Sequence, residues 1–175
     1  MSKLSCRNVL MLAACLGVLI ALGAIASAQE KMAVAGAMTC TITDQKQFMV
    51  GDAEGHVLSL NQSTGTNAST GPMSYMDKAS IANFSMGDQV KGNGPGFGYV
   101  MFALGADTTY AKWGHAVATM MGPDQKPVTT FKGTFSFERG TGQYMGIQGS
   151  GTFSGKFTSP TEYSVEWAGE YAIAK

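Results

Sequence analysis

Glu162-Tyr163-Ser164-Val165-Glu166-Trp167-Ala168-Gly169-Glu170-Tyr171-Ala172-Ile173 is the stretch whose reading decides the fold class. Tyr163, Val165, Trp167, Tyr171 and Ile173 share one parity, and Glu162, Ser164, Glu166 and Glu170 share the other. Side chains alternate faces along a strand, so this spacing predicts a half-buried β-strand with an apolar face and a wet one.

Moving back along the chain, Phe131, Phe135 and Phe137 alternate with Thr130, Lys132, Thr134, Ser136 and Glu138, which predicts a second strand of the same kind. Arg139-Gly140-Thr141-Gly142 then supplies a turn. Between the two strands, Met145, Ile147, Phe153 and Phe157 keep one parity but are interrupted by Gly149, Gly151 and Gly155. Glycines inside a strand mark sharp bends or close backbone approach, which predicts a strongly coiled, closing sheet. Phe97 to Leu104 and Tyr110 to Met121, joined through Gly105-Ala106-Asp107, read as a hairpin. Further strands are expected at Met38 to Thr43, His56 to Leu60 and Ser80 to Met86, with Asn61 to Pro72 as a polar loop. The count is about eight, the number at which an antiparallel barrel closes around side chains or one small ligand. The expectation is an all-β chain forming a single eight-stranded closed barrel.

The N-terminal segment is of a different kind. Lys3 and Arg7 precede an apolar run from Val9 to Ile25, which ends at Ala26-Ser27-Ala28. This order reads as a signal peptide over residues 1–28, cleaved after Ala28, with residues 29–175 as the mature domain. Leu12-Ala13-Ala14-Cys15 looks like a lipobox, but its preceding apolar stretch is too short, and cleavage there would leave an apolar tail. The expected location is therefore exported, periplasmic or secreted, with no stable membrane attachment after cleavage. Removal of the signal leaves 147 residues with ten basic and twelve acidic side chains, a net charge of −2 that gives no reason to expect nucleic acid as partner. Cys6 and Cys15 leave with the signal, so Cys40 has no intrachain partner and reads as a small buried apolar residue.

Two segments go beyond generic β patterning, Gly140-Thr141-Gly142-Gln143-Tyr144-Met145-Gly146-Ile147-Gln148-Gly149-Ser150-Gly151-Thr152-Phe153 and Ser159-Pro160-Thr161-Glu162-Tyr163-Ser164-Val165-Glu166-Trp167. The first resembles the G-T-G-x-[YF]…G-x-G strand of allene oxide cyclase and dirigent-like barrels. The second is similar to the closing strand of exported bacterial proteins with that barrel form. Together they cover under a third of the mature chain. The resemblance implies an eight-stranded antiparallel barrel with an apolar cavity, often in oligomers, so a homo-oligomer is an open possibility. It carries over no catalytic residue.

Candidate chemistry is sparse. His56 sits in Gly51-Asp52-Ala53-Glu54-Gly55-His56 and could pair with Asp52 or Glu54 as a base or metal ligand, against the alternative of an exposed histidine at a strand start. His115 shares parity with Trp113 and Val117, which puts an imidazole among apolar neighbours, as a ligand anchor or as a hydrogen-bonded core residue. Glu162, Glu166 and Glu170 are spaced roughly 13 Å apart along a strand, too far to share a proton, and read as a solvated outer face. Only a barrel with that face inward would make Glu166 an acid or base. Ten methionines remain after cleavage, including Met73-Ser74-Tyr75-Met76, and read as core or pocket filling rather than a copper site. No metal site and no cofactor is expected, and P-loop, Rossmann, G-x-S-x-G and H-E-x-x-H motifs are absent from the sequence.

These readings converge on an exported barrel that binds a small apolar or amphipathic molecule without catalysis. Phe97, Tyr99, Met101, Trp113, His115, Phe131 and Trp167 are the expected lining, with Phe102, Phe135 and Phe153 as further aromatic supply. Two alternatives stand beside it. One is a cyclase or isomerase whose shaped pocket uses His115, Glu166 or His56. The other is a structural or oligomeric protein with a solid core.

Overall fold

A computed structural model describes residues 30–174, so the export signal read over residues 1–28 lies outside the described residues. The described chain is all-β, as its alternation predicts. Eight strands follow one another as β1 (Met32–Met49), β2 (His56–Ser69), β3 (Ser80–Val90), β4 (Gly94–Leu104), β5 (Asp107–Met121), β6 (Pro127–Gly140), β7 (Ile147–Phe157) and β8 (Glu162–Ile173). Each pairs antiparallel with the next, and β8 returns to β1 from Met32↔Tyr171 through Thr41↔Glu162, closing an up-and-down barrel without a free edge.

Six expected strand regions grow in length, β6 taking in Arg139-Gly140, expected as turn. The largest change is in β2, which continues through the Asn61–Ser69 stretch expected as loop. Its polar residues are strand residues: Ser63 and Asn67 are each 1% exposed and point into the barrel. A bulge between Ile42 and Asp44 in β1 inserts one residue and resets the alternation. Met38, Cys40 and Ile42 face inward before it, and Gln45 and Gln47 after it.

Interior aromatic rings stand opposite interior glycines. Trp167 pairs with Gly36, Trp113 with Gly98, His115 with Gly96, Phe135 with Gly151 and Phe131 with Gly155. A Cβ on Gly98 would come within 2.6 Å of the Trp113 ring, and one on Gly155 within 2.4 Å of Phe131. A closed barrel of eight strands has a narrow lumen, so a large ring must lie across the neighbouring strand, and only glycine leaves room for it.

Alternate ends of the strands define two barrel ends of different character. At one, the β2–β3 connection folds back into the lumen, with Tyr75 and Met76 each 1% exposed and Ala79 fully buried. Asn67 holds it: the side-chain amide donates to the carbonyls of Tyr75 (3.2 Å) and Met76 (2.8 Å) and accepts from Trp167 Nε1 (3.1 Å). Tyr75 donates to Thr109 Oγ1 at 2.7 Å, and its ring packs on Phe102, Phe137, Tyr144, Trp167 and Tyr171. Tyr144 comes from a 3₁₀ turn, Gly142–Tyr144, between β6 and β7. This end is a dense aromatic plug. The other end, where β1, β3, β5 and β7 finish, is open.

Candidate functional site

Above the plug the barrel encloses a cavity of about 610 Å³ that opens at the unplugged end. That is within the range of small-molecule sites. Its lining has two faces. On β5 to β8, Trp113, His115, Phe131, Phe153 and Tyr163 form an aromatic wall. His115 sits at its middle, 4.9 Å from the Trp113 ring, 5.3 Å from Phe131 and 6.2 Å from Phe153 between centroids. On β2 and β3, Ser59, Asn61, Ser63, Asn83 and Ser85 form a wall of hydroxyls and amides, extended toward the mouth by Gln45, Gln47 and Gln89. No Asp, Glu, Lys or Arg is among the residues lining the cavity.

The two walls are tied together by one network. Trp113 Nε1 donates to Asn83 Oδ1 at 2.9 Å. Asn83 Nδ2 in turn reaches Tyr163 Oη at 3.1 Å and Ser63 Oγ at 3.3 Å, and those two oxygens are 2.6 Å apart. Burial raises the Tyr163 phenol above its ordinary range and raises the neighbouring Cys40 thiol, so both stay protonated. Cys40 is buried as its sequence position suggested.

Two cavity groups remain outside this network. Asn61 Oδ1 is buried without a hydrogen-bond partner among the described residues, while its Nδ2 makes a long 3.4 Å contact to Ser85 Oγ. His115 has no hydrogen bond to the protein among the described residues, and desolvation alone lowers its pKa from 6.5 to about 4. It is a neutral imidazole facing the cavity rather than a hydrogen-bonded core histidine.

The expected lining residues divide. Trp113, His115, Phe131 and Trp167 face the cavity, as do Phe102, Phe135 and Phe153. Phe97, Tyr99 and Met101 do not. In β4 the inward parity belongs to Gly96, Gly98, Val100 and Phe102, so Phe97 and Tyr99 stand on the outer wall at 50% and 49% exposure, with Met101 on the same outward parity. They join Leu58, Leu60, Phe84 and Met86 in an apolar outer face across β2 to β4. Glu166 is exposed on the outside of β8, which removes it from any cavity chemistry. His56 opens β2 on the outer side of the mouth, between Asp52 and Asp88 Oδ1 (2.7 Å), whose hydrogen bonds raise its pKa, the Asp88 bond most. Glu54 instead pairs with Lys91 at 2.6 Å. Of Met73-Ser74-Tyr75-Met76, Met76 is core while Met73 is 48% exposed.

Sequence reasoning missed the polar wall. Its signal is present as alternation of the opposite sense: Ser59, Asn61 and Ser63 on one parity of β2, Leu58 and Leu60 on the other.

No family model matches the chain, and no curated protein matches it. Among solved structures, the fold is similar to a pyocyanin demethylase, at 12% identity over 79% of this chain and 99% of that one, with a TM-score of 0.43. It is also similar to the pterocarpan synthase dirigent protein GePTS1, at 14% identity over 85% of this chain and 88% of that one, with a TM-score of 0.45.

Proposed function

We propose that this protein is an exported carrier or sequestering barrel of the dirigent-like and allene oxide cyclase-like type, which holds a small amphipathic molecule in its lumen without transforming it. The observation that carries the reading is the cavity of about 610 Å³, open at one end, plugged at the other and lined by an aromatic wall facing an amide and hydroxyl wall. A barrel that needed only stability would fill this space, because empty lining forfeits dispersion contacts. The open end gives a route in, and the plug fixes the depth.

A second reading, a cyclase or isomerase, is favoured by His115 alone, since it faces the cavity with free ring nitrogens. Its pKa of about 4 makes it a weak base at neutral pH, which supports binding over proton transfer. The experiment is native mass spectrometry of protein purified from its own host, with extraction of the bound molecule and titration with phenylnaphthylamine. Carriage predicts a retained host molecule recovered unchanged and saturable uptake of the dye. Retention of nothing, together with no dye uptake, overturns it. Conversion of the extracted molecule on incubation with fresh protein, lost in His115→Phe, would favour the enzyme instead.

A further inference from the structure

The reversed alternation of β2, β3 and β4 leaves an apolar surface on the outside of the barrel that the cavity does not use. Leu58, Leu60, Phe84, Met86, Phe97 and Tyr99 point outward there, between 43% and 50% exposed. The strand register makes them one surface: Leu60 pairs with Met86 and Met86 with Phe97 in one row, and Phe84 pairs with Tyr99 in the next. The outer wall of β6 to β8 is of the opposite kind, with Lys132, Thr134, Thr152, Glu166 and Glu170 exposed. An exterior that is apolar on one side and charged on the other lacks the continuous band that crossing a bilayer requires.

Scattered apolar residues are ordinary on a protein surface, whereas a contiguous patch of this size marks a contact. At roughly 100 Å² of open surface apiece, the six side chains offer about 600 Å². A homodimer contact of standard size buries about 800 Å² per partner, of which about 65% is apolar, so the patch supplies the whole apolar centre of one. Its border carries both signs, with Asp44 and Lys46 beside it on β1 and Lys112 on β5. A border of mixed sign suits neither an anionic lipid surface nor a partner of one charge. The face also complements itself. A twofold axis across β3, between the two rows, exchanges them, so that Met86 of one copy lies over Phe84 of the other and Phe97 over Tyr99. The same rotation sets Asp88 against Ala82, which keeps the two Asp88 carboxylates apart.

We infer that the outer face of β2 to β4 is the contact through which two copies of the chain associate, about a twofold axis across β3. The inference is independent of what the cavity holds.

The test uses the protein purified from its own host. Sedimentation velocity is expected to give the mass of two chains at about 50 μM, with dissociation on dilution, as for a contact of standard size. A single-chain mass at every concentration up to about 100 μM overturns the inference. Phe97→Lys, outside the cavity lining, should raise the dissociation constant at least about 100-fold, since it removes a central ring and sets a charge in an apolar contact. Thr152→Lys, on the outer side of β7 across the barrel, should leave it unchanged. Pairs that persist in Phe97→Lys, or that Thr152→Lys separates, put the contact elsewhere and overturn the assignment. The wild type alone gives a second measurement, oxidation by dilute peroxide read by peptide mass spectrometry. Met86 should oxidise at least about fivefold more slowly in associated than in diluted protein, because susceptibility follows exposure. Met145, 69% exposed at the plugged end, is the reference whose rate should not change. Equal Met86 rates overturn the inference even should Phe97→Lys not fold. Flotation of single chains with phosphatidylcholine vesicles, lost in Phe97→Lys, would overturn it in favour of a lipid surface.

Discussion

Trp113 Nε1 donates a 2.9 Å hydrogen bond to Asn83 Oδ1, and with it the aromatic wall of the barrel is joined to the polar wall. Asn83 is the hub, because its amide nitrogen also reaches Tyr163 and Ser63. Asn83→Leu removes the acceptor for the indole and leaves Trp113 Nε1 facing an apolar replacement, while Tyr163 Oη and Ser63 Oγ keep their mutual bond. One unsatisfied group costs roughly 1–3 kcal/mol, so the expected loss is about 2 kcal/mol of unfolding free energy. Denaturant unfolding followed by tryptophan emission measures it. A loss below about 1 kcal/mol would mean that the network is replaced by water from the open cavity.

The ring-on-glycine pairs give a second prediction. A methyl group at Gly155 would sit 2.4 Å from the Phe131 ring and 2.3 Å from the Ser164 carbonyl oxygen, so neither a rotamer change nor a small shift relieves it. Gly155→Ala should destabilise by about 1–3 kcal/mol as overpacking does. Gly51→Ala is the comparison. Nothing lies within 4 Å of its added Cβ, though its φ of +86° carries backbone strain of about 1–2 kcal/mol. In thermal melts both should lower the midpoint, but only Gly155→Ala should also reduce dye uptake, since only it displaces a ring of the cavity wall.

These pairs also show why half the barrel was legible in the sequence and half was not. In β6 and β8 the lumen face is apolar and the outer face charged, so Phe131, Phe135, Val165 and Trp167 read correctly from alternation alone. In β2, β3 and β4 the sense is reversed: Ser59, Asn61, Asn83, Ser85, Gly96 and Gly98 turn inward, and Leu58, Leu60, Phe84, Met86, Phe97 and Tyr99 turn outward. Alternation fixes which residues share a face but not which face is inside. A rule that sends apolar residues inward therefore put Phe97 and Tyr99 in the lumen and turned the polar end of β2 into a loop. What would have corrected it is Gly96 and Gly98, whose lack of side chain is costly in a strand unless something large lies over them.

The plug yields a third prediction. Tyr75 is fully buried among five aromatic rings and donates to Thr109. Tyr75→Phe keeps the packing and loses one neutral hydrogen bond, for an expected cost of about 1 kcal/mol. Tyr75→Ala leaves a void beneath Trp167 and should cost about 3–5 kcal/mol. Urea midpoints of the two variants give the difference, and comparable losses would show that the hydrogen bond rather than the ring holds the plug.

The two histidines pull stability in opposite directions with pH. His56 has a folded pKa raised above 6.5 by Asp88 and Asp52. Its contribution is therefore fully present below 6.5 and is lost as pH rises through the folded value. His115 is held at about 4 against 6.5 in the unfolded chain, so between those values the unfolded state binds the extra proton. Stability supplied by keeping His115 neutral is present above pH 6.5 and falls as pH drops toward 4, by at most about 2 kcal/mol once solvent in the open cavity is allowed for. His115→Phe should remove this decline, so the difference between wild-type and variant unfolding free energies should change across pH 4 to 6.5 and be flat above 7. An uncharged ligand in the cavity should steepen the wild-type decline, because protonated His115 would have to be buried beside it. An acid-side decline that persists unchanged in His115→Phe, leaving the difference flat from pH 4 to 6.5, would leave His115 without a role in acid sensitivity.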